Sequence, residues 1–339
     1  MTRKSILFVQ VGKAELVDIP LPELKTNEVL VRTAISTISS GTERANLCGD
    51  LNVSPMQPTL TVAKFPRSSG YSTSGTVEAV GAAVKKVAVG DRVAMCWSCH
   101  TDLNVLSENL VYKLDDNISF ETAALLHIGT FPMAAIRKTR LEFGEPAIVM
   151  GQGILGQIAV LQLKVAGASP VIAVDPVKER RDIALNLGAD FALDPTDSEF
   201  VNNVKAICPL GVPVAIEVTG VGKGFDQVLD CMAQFGRVAL LGCTRNSDFT
   251  IDYYRKIHRP GITVVGAHTM ARPEVNSYPG YWTRTDDMEA QLRLIKYGRL
   301  SYDGLVKDTR SPVEAPEVFN RLANDPHFPI TQFDWRRLL

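Results

Sequence analysis

Three glycines, at positions 151, 153 and 156, follow an apolar run over residues 146–150 and open a segment of helical character. Gly151 permits a tight turn, Gly153 lets the backbone approach a pyrophosphate, and Gly156 lets a helix lie close to a strand. The free N–H groups at the start of such a helix face phosphates. The spacing therefore predicts a dinucleotide-binding turn, with a strand–helix turn that binds nothing as the alternative.

A second apolar run, residues 171–174, ends at Asp175, about twenty residues after the glycines. A carboxylate at this place accepts hydrogen bonds from the adenosine ribose hydroxyls and repels a 2′-phosphate. The next two residues carry no cation that would attract such a phosphate, whereas Lys178 and Arg180 leave NADP open. The sequence thus favours NAD as the cofactor.

A parallel sheet is needed to hold these residues. From residue 146 onward, short apolar runs alternate with helical segments, as in strands joined by crossover helices. The predicted strands are 146–150, 171–174, 191–193, 214–218, 237–241 and 263–265, and the predicted helices between them are 177–187, 199–207 and 224–235. Six such strands are typical of a doubly wound dinucleotide-binding sheet, which is an α/β fold.

Residues 1–125 have a different pattern. Short alternating or apolar runs, separated by Gly and Pro, predict a compact, barrel-like β-rich domain. A length of 339 residues is long for one domain, so two are expected.

The composition excludes several classes of protein. A formal net charge of −1 gives no electrostatic basis for binding nucleic acid or an anionic membrane. The apolar run over residues 6–11 is too short for a signal peptide core or a membrane span. Six scattered cysteines suit reduced thiols in the cytoplasm better than a disulfide framework. We therefore expect a cytoplasmic enzyme with a small-molecule substrate.

The chain resembles the medium-chain dehydrogenase/reductase superfamily over nearly its full length. The segments that carry the resemblance are 40–43 (SGTE), 70–81 (GYSTSGTVEAVG), 89–93 (VGDRV), 151–156 (GQGILG), 187–190 (LGAD), 217–220 (EVTG) and 236–242 (GRVALLG). The resemblance implies a GroES-like catalytic domain over 1–125, a Rossmann NAD-binding domain over 126–297, and a segment over 298–339 that rejoins the catalytic domain. It also implies an active site in the cleft between the domains and a homodimer or homotetramer.

The resemblance further implies the residues that contact the cofactor. They are Gly151, Gly153, Ile154, Leu155, Gly156, Asp175, Arg180, Thr130, Thr219, Gly242 and Thr244. Of these, Thr130 is expected to pack on the nicotinamide and Arg180 to lie over the adenine, with a solvated helix charge as the alternative for Arg180.

The zinc-dependent relatives differ from this chain at their metal ligands. Their usual cysteine, histidine and acid correspond to Ser40, Tyr71 and Ser72, and a further ligand position falls near His127. Catalytic zinc normally takes three ligands drawn from thiolate, imidazole and carboxylate. The chain also lacks the four close cysteines of a structural zinc lobe, since only Cys96 and Cys99 stand in that region. We therefore expect no metal.

Without zinc, a side chain must exchange the proton of the substrate hydroxyl. His127 has a suitable pKa, and Tyr71 stands where the relatives place a ligand; Ser40 is grouped with them as a catalytic candidate. The alternatives are a histidine that caps a helix and a tyrosine that fills the space left by the metal.

Four residues are predicted on the substrate side: Glu43, Trp97, His100 and His268. Glu43 corresponds to a family acid that supports the site, often through an arginine. His268 begins a polar, aromatic loop that suits sugars or carboxylates, or alternatively a subunit contact.

The function expected from the sequence is a zinc-independent, NAD(H)-dependent oxidoreductase that interconverts a secondary alcohol and a ketone on a polar, sugar-like substrate. Three alternatives stay open. They are a quinone- or enoyl-type reductase, a zinc dehydrogenase that uses His127 with Cys48 or Cys96 and a carboxylate, and a non-catalytic NAD(H)-binding sensor.

Overall fold

The computed structural model describes residues 1–53, 62–245 and 249–338. The chain forms two compact units: unit 1 is Met1–Ile128 with Tyr302–Leu339, and unit 2 is Gly129–Ser301. The sequence predicts borders at 125/126 and 297/298. No helix within the described residues is both long and apolar enough to cross a lipid bilayer.

The N-terminal part of unit 1 is mostly strand. Its strands are β1 (Thr2–Gln10), β2 (Lys13–Pro20), β3 (Glu28–Thr37), β4 (Arg67–Ser68), β5 (Ser72–Val80), β6 (Arg92–Cys96), β7 (Leu103–Ser107) and β8 (Val111–Lys113). Among its described residues, it also contains the helices α1 (Ser40–Leu47) and α2 (Phe120–Ala123). The border between the units falls inside the next helix, α3 (Leu126–Lys138).

Unit 2 alternates strands and helices. Its strands are β9 (Ala147–Met150), β10 (Val171–Val174), β11 (Phe191–Leu193), β12 (Val212–Glu217), β13 (Met232–Leu240) and β14 (Thr263–Gly266). Its helices are α4 (Ile154–Val165), α5 (Lys178–Asn186), α6 (Phe200–Ile207), α7 (Gly222–Asp230) and α8 (Arg284–Lys296).

The chain then returns to unit 1. Its last elements are β15 (Asp308–Arg310), α9 (Ala315–Asn324) and β16 (Thr331–Asp334). Short 3₁₀ turns occupy Leu51–Val53, Glu108–Leu110, Pro312–Glu314 and Trp335–Leu338, and a π turn occupies Tyr254–His258.

The sheet of unit 2 has the order β11-β10-β9-β12-β13-β14 among the described residues, and all its neighbours are parallel. This is the doubly wound order, which reverses direction beside β9. Both faces of β9 and β10 are buried, because helices cover a parallel sheet on both sides. The predicted α/β fold is confirmed, and the switch point puts the glycine turn where such sheets bind ligands.

One predicted helix is wrong at its end. The helix expected over 224–235 ends at Asp230, and Met232 already pairs with Val212 in β13. Phe235 has a φ of 61°, which lies outside the right-handed helical region. Pairing with the neighbouring strand therefore overrides the helical pattern of the last residues.

The sheet of unit 1 has the order β15-β16-β3-β5-β6-β8, with β7 also paired to β3, and a smaller sheet has the order β2-β1-β4. One hydrophobic core of unit 1 joins both ends of the chain. Phe8 of β1 meets Phe319 of α9 edge to face at 4.9 Å between ring centroids, and Phe333 and Trp335 pack in the same cluster. The C-terminal segment thus completes the core of unit 1.

Candidate functional site

The glycine turn joins β9 to α4 in unit 2. Gly151 has a φ of +100°, which favours glycine, and a Cβ on Gly156 would lie 1.9 Å from the carbonyl oxygen of Gly151. A Cβ on Gly153 would meet nothing within 4 Å. Gly156 is therefore required for packing, whereas Gly153 leaves open space at the start of the helix.

Helix α4 begins directly at this open space. Gly153 is its N-cap, and Ile154 and Leu155 form its first turn, Ile154 being buried. The backbone N–H groups of the first turn have no partner within a helix, so they suit an anion. The Gln152 side-chain amide is buried and donates to the carbonyl oxygen of Val149 at 3.0 Å, which ties the glycine turn to the end of β9.

Asp175 follows β10 and lies against the glycine turn. Its carboxylate accepts the N–H of Gln152 at 2.8 Å and the N–H of Val177 at 2.9 Å. The Arg180 guanidinium lies 3.7 Å from the same carboxylate. The acid that the sequence predicts to bind the ribose is thus fixed next to the turn, and Arg180 lies beside it.

Two further loops meet the turn at the ends of β12 and β13. A Cβ on Gly151 would lie 3.0 Å from Thr219 Cγ2, and one on Gly242 would lie 2.3 Å from the Gly220 nitrogen. Thr219 donates through its hydroxyl and its N–H to Glu217. Burial raises the pKa of the Glu217 carboxyl, against these hydrogen bonds.

Three other predicted residues of unit 2 lie elsewhere in it. Thr244 is exposed after β13. Thr130 is buried in α3, and its carbonyl oxygen accepts from Arg272 at 3.0 Å. His268 follows β14, and its Nδ1 accepts the N–H of Met270 at 3.2 Å. Partial burial, together with the charges of nearby cations, lowers the pKa of His268, so the ring is neutral at neutral pH.

Unit 1 brings together three aromatic rings that the sequence singled out. The ring centroids of Trp97 and His127 are 4.7 Å apart, those of Tyr71 and His127 5.8 Å, and those of Tyr71 and Trp97 5.9 Å. Trp97 has a φ of 54° and is 38% exposed, while His127 is buried in the first turn of α3. We call Tyr71, Trp97 and His127 the aromatic cluster.

The hydroxyl of Tyr71 donates to Ser39 Oγ. Sequence reasoning missed Ser39 and named its neighbour Ser40, which is half-buried and begins α1. The available signal was the place of Ser39, as the residue directly before α1. The backbone N–H of Ser39 donates to Glu43 Oε1 at 2.8 Å, so the partner of Tyr71 is tied to a buried acid.

Glu43 continues into a buried network. Its Oε2 lies 3.0 Å from His100 Nε2, and His100 Nδ1 lies 2.7 Å from Ser36 Oγ. Trp335 Nε1 donates to Ser36 Oγ at 2.8 Å. Every group is satisfied when Ser36 donates to Nδ1 and Nε2–H donates to Glu43, which assigns the tautomer of His100. The acid thus pairs with a histidine rather than an arginine.

His100 is 0% exposed and Glu43 is 2% exposed. Neither side chain presents an atom to a substrate in this conformation, which differs from their predicted place on the substrate side. A Cβ on Gly70, the residue before Tyr71, would lie 2.7 Å from the His100 nitrogen. The network therefore packs directly under the segment that carries Tyr71 and supports it from inside unit 1.

The residues at the zinc positions do not fit a zinc ion. Ser72 Oγ donates to the carbonyl oxygen of Ala124 at 2.7 Å, and Tyr71 donates to Ser39. These neutral hydroxyls are poor zinc ligands. Within residues 1–53, 62–245 and 249–338, no three His, Cys, Asp or Glu side chains lie where they could share a metal ion.

The two cysteines of the alternative zinc site differ in their exposure to solvent. Cys48 is exposed and Cys96 is buried. Burial raises the pKa of the Cys99 thiol, which therefore stays protonated at neutral pH. The pair Cys96 and Cys99 thus has the character of structural thiols.

Two family models match the chain: an alcohol dehydrogenase GroES-like domain over residues 25–132 and a zinc-binding dehydrogenase over residues 155–285. The chain is 26% identical over 323 residues to D-guloside 3-dehydrogenase of Escherichia coli, with 90% of this chain and 92% of that protein covered. It is 28% identical over 288 residues to L-threonine 3-dehydrogenase of Pyrococcus furiosus, with 75% and 79% covered.

The crystal structure of galactitol-1-phosphate dehydrogenase from Escherichia coli has the same fold. The TM-score is 0.82 at 20% identity, with 98% of this chain and 99% of that chain covered. A GroES-like unit, a doubly wound sheet with a glycine turn, and two matching family models lead to one conclusion. The chain belongs to the medium-chain dehydrogenase/reductase superfamily and is an alcohol dehydrogenase-like oxidoreductase.

Proposed function

We propose that this protein is a zinc-independent, NAD(H)-dependent dehydrogenase that interconverts a secondary alcohol and a ketone on a polar, sugar-like substrate. The observation that carries the proposal is the set of side chains at the zinc positions. Ser40, Tyr71 and Ser72 offer hydroxyls in place of a thiolate, an imidazole and a carboxylate, and two of these hydroxyls are bonded to protein groups.

The cofactor site is built from the glycine turn and Asp175. The open space at Gly153 and the first N–H groups of α4 would hold the pyrophosphate. The Asp175 carboxylate would accept from the ribose hydroxyls and repel a 2′-phosphate, and Arg180, 3.7 Å from it, is partly neutralised by it. When bound, NAD supplies the hydride acceptor of the oxidation.

The aromatic cluster supplies the proton transfer. Tyr71 presents a hydroxyl whose orientation is set by Ser39, and His127, the second candidate, lies buried against the Tyr71 ring. Their ring centroids are 5.8 Å apart, and both ring nitrogens of His127 are buried, so proton transfer through His127 requires that they become accessible to the substrate. Glu43 and His100 act as positioning residues, because they hold Ser39 and the backbone beside Tyr71.

The exposed indole of Trp97 offers an apolar face of the kind that binds sugar rings. The relatives described above are named for a guloside, threonine and galactitol 1-phosphate, all polar hydroxylated molecules. His268 would contribute a neutral imidazole on the substrate side. We place the enzyme in the cytoplasm, since its six cysteines are free among the described residues, and expect a homodimer or homotetramer.

The test begins with metal analysis of protein purified without chelator, followed by NADH formation on a panel of polyols, sugars and hydroxy acids. We expect less than a tenth of an equivalent of zinc and turnover of at least one polyol. About one zinc per chain, removed together with activity, would contradict the proposal. Turnover of enones alone would favour the reductase, and tight NADH binding with no turnover would favour the sensor.

Tyr71→Phe and His127→Asn separate the two proton-transfer candidates. The residue that transfers the proton should lose about 10²- to 10⁴-fold in kcat, with the corresponding limb of the pH profile removed. The other variant should change mainly KM. Equal and small effects on kcat in both would place the proton transfer elsewhere.

A further inference from the structure

Unit 2 contains a cavity that the proposed dehydrogenase activity does not use. Its volume is about 420 Å³, within the range of sites for small organic ligands. The lining comes from the C-terminal parts of α3 and α4, the loop before α8, and α8 itself. The lining includes Arg137, Arg140, Gln162, Val165, Ala166 and Trp282.

The cavity is separate from the glycine turn. Helix α4 touches the turn at its first residue, Ile154, and touches the cavity at Gln162 and Val165. At 1.5 Å per residue, Gln162 and Val165 lie about 12 Å and about 16 Å along the helix from Ile154. A molecule in the cavity would therefore not overlap a dinucleotide on the turn.

The walls of the cavity are mostly apolar. Methionine, isoleucine, leucine and valine side chains line it, together with Trp282. The Arg137 guanidinium stacks on the Trp282 indole, with its central carbon 3.4 Å from the ring centroid, and its Nε donates to Asp287 at 2.9 Å. The charge of Arg137 is therefore already paired, and its guanidinium covers one face of the indole.

Arg140 is the charge that is not paired. Its side chain is exposed and lines the cavity, and it forms no ion pair within the described residues. Its φ of 51° is uncommon for a residue other than glycine, and two hydrogen bonds fix it: Arg140 N–H to the Arg137 carbonyl at 3.0 Å, and Arg237 to the Arg140 carbonyl at 3.1 Å. The backbone thus keeps a cation at the rim of an apolar cavity.

We propose that this cavity binds a small organic anion with an apolar, ring-sized body and one carboxylate. The body would lie on Trp282 between the aliphatic walls, and the carboxylate would pair with Arg140, whose planar guanidinium matches a carboxylate in two parallel hydrogen bonds. The Gln162 amide already donates to the Gly129 carbonyl at 2.8 Å, so it contributes shape rather than charge.

The experiment is isothermal titration calorimetry of the full chain with 2-naphthoate and with the neutral analogue 2-naphthalenemethanol. We expect one naphthoate per chain, and about 5- to 10-fold weaker binding of the neutral analogue. Arg140→Gln, which removes the charge and keeps a polar, unbranched side chain, should weaken naphthoate binding about 5- to 10-fold and leave binding of the neutral analogue unchanged. Arg299→Gln, an exposed arginine of the same unit outside the cavity, should change neither.

A second variant changes the shape of the cavity. Ala166 is exposed at the end of α4 and lines the cavity, so Ala166→Leu should fill its mouth and weaken both probes while leaving the melting temperature unchanged. Equal binding to the natural protein, Arg140→Gln and Ala166→Leu would overturn the proposal, as would no binding at 2 mM (about the weakest affinity of a useful site). Loss of naphthoate binding in Gly153→Ala with none in Arg140→Gln would place the probe at the glycine turn and would also overturn it.

Discussion

Replacing Gly153 with alanine tests the cofactor site most directly. The change adds one methyl group where the pyrophosphate is proposed to lie. Nothing in the protein lies within 4 Å of that methyl position, and the φ of −71° suits any residue. The free energy of unfolding should therefore stay the same or rise by up to about 1 kcal/mol, since alanine restricts the unfolded chain.

The affinity for NADH should fall. Forcing an extra methyl group into a filled site costs about 1–3 kcal/mol, which corresponds to a roughly 5- to 150-fold increase in the Kd of NADH. Titration with NADH measures the affinity, and thermal unfolding of the free protein measures stability. A Gly153→Ala protein that binds NADH as tightly as the natural one would refute the placement of the pyrophosphate.

Gly156→Ala is the matched contrast. Its Cβ would lie 1.9 Å from the Gly151 carbonyl oxygen, a backbone atom, so the strand–turn–helix unit must move. Stability and NADH affinity should fall together, the former by about 1–3 kcal/mol. Gly41→Ala, at an exposed glycine of α1 with nothing within 4 Å, should leave the NADH affinity unchanged and keep or raise the free energy of unfolding by up to about 1 kcal/mol. An unchanged melting temperature in Gly156→Ala would mean that the close helix–strand packing is not required.

Three further predictions follow from charges. Asp175→Ser removes the carboxylate that repels a 2′-phosphate, so the ratio of NADPH to NADH affinity should rise about tenfold or more, and titration with both nucleotides measures it. The hydrogen bond from Arg237 lowers the pKa of Glu145, so the carboxylate stabilises the fold fully above its unfolded pKa of about 4.3, and this stability is lost as the pH falls through the lower folded pKa. Urea unfolding should show Glu145→Gln less stable by about 1 kcal/mol at pH 7 and equal to the natural protein near pH 2; a constant difference would contradict the pairing. His100→Ala leaves the buried Glu43 without its partner and should cost about 3 kcal/mol of unfolding free energy, with a loss well under 1 kcal/mol showing that the network is dispensable.

Local pattern was sufficient to predict the sheet of unit 2. Its strands β9 and β10 are buried on both faces and read as unbroken apolar runs, and the predicted strands 171–174 and 191–193 coincide with β10 and β11. The helix predicted over 224–235 failed at its end because pairing of Met232 with Val212 decides that segment. Such pairing depends on residues about twenty positions apart, which a helical pattern does not contain.

The site was predictable only in part, for the same reason. Tyr71, Trp97 and His127 were named from resemblance to known dehydrogenases, and the fold brings their rings together. The network that supports Tyr71 joins Ser36, His100 and Trp335, which are far apart in the chain. No short motif connects these residues, so their contact emerges only when the strands of unit 1 are assembled.

The C-terminal segment has a consequence for synthesis. Phe8 packs in one core with Phe319 and Phe333, and these two residues leave the ribosome after all of Gly129–Ser301. Because domains generally fold as units during translation, the middle of the chain can finish first while the earliest strands still lack their apolar partners. A nascent chain stalled before residue 302 would hold its first part in an unfinished state, exposed to chaperones and proteases until the last helix arrives.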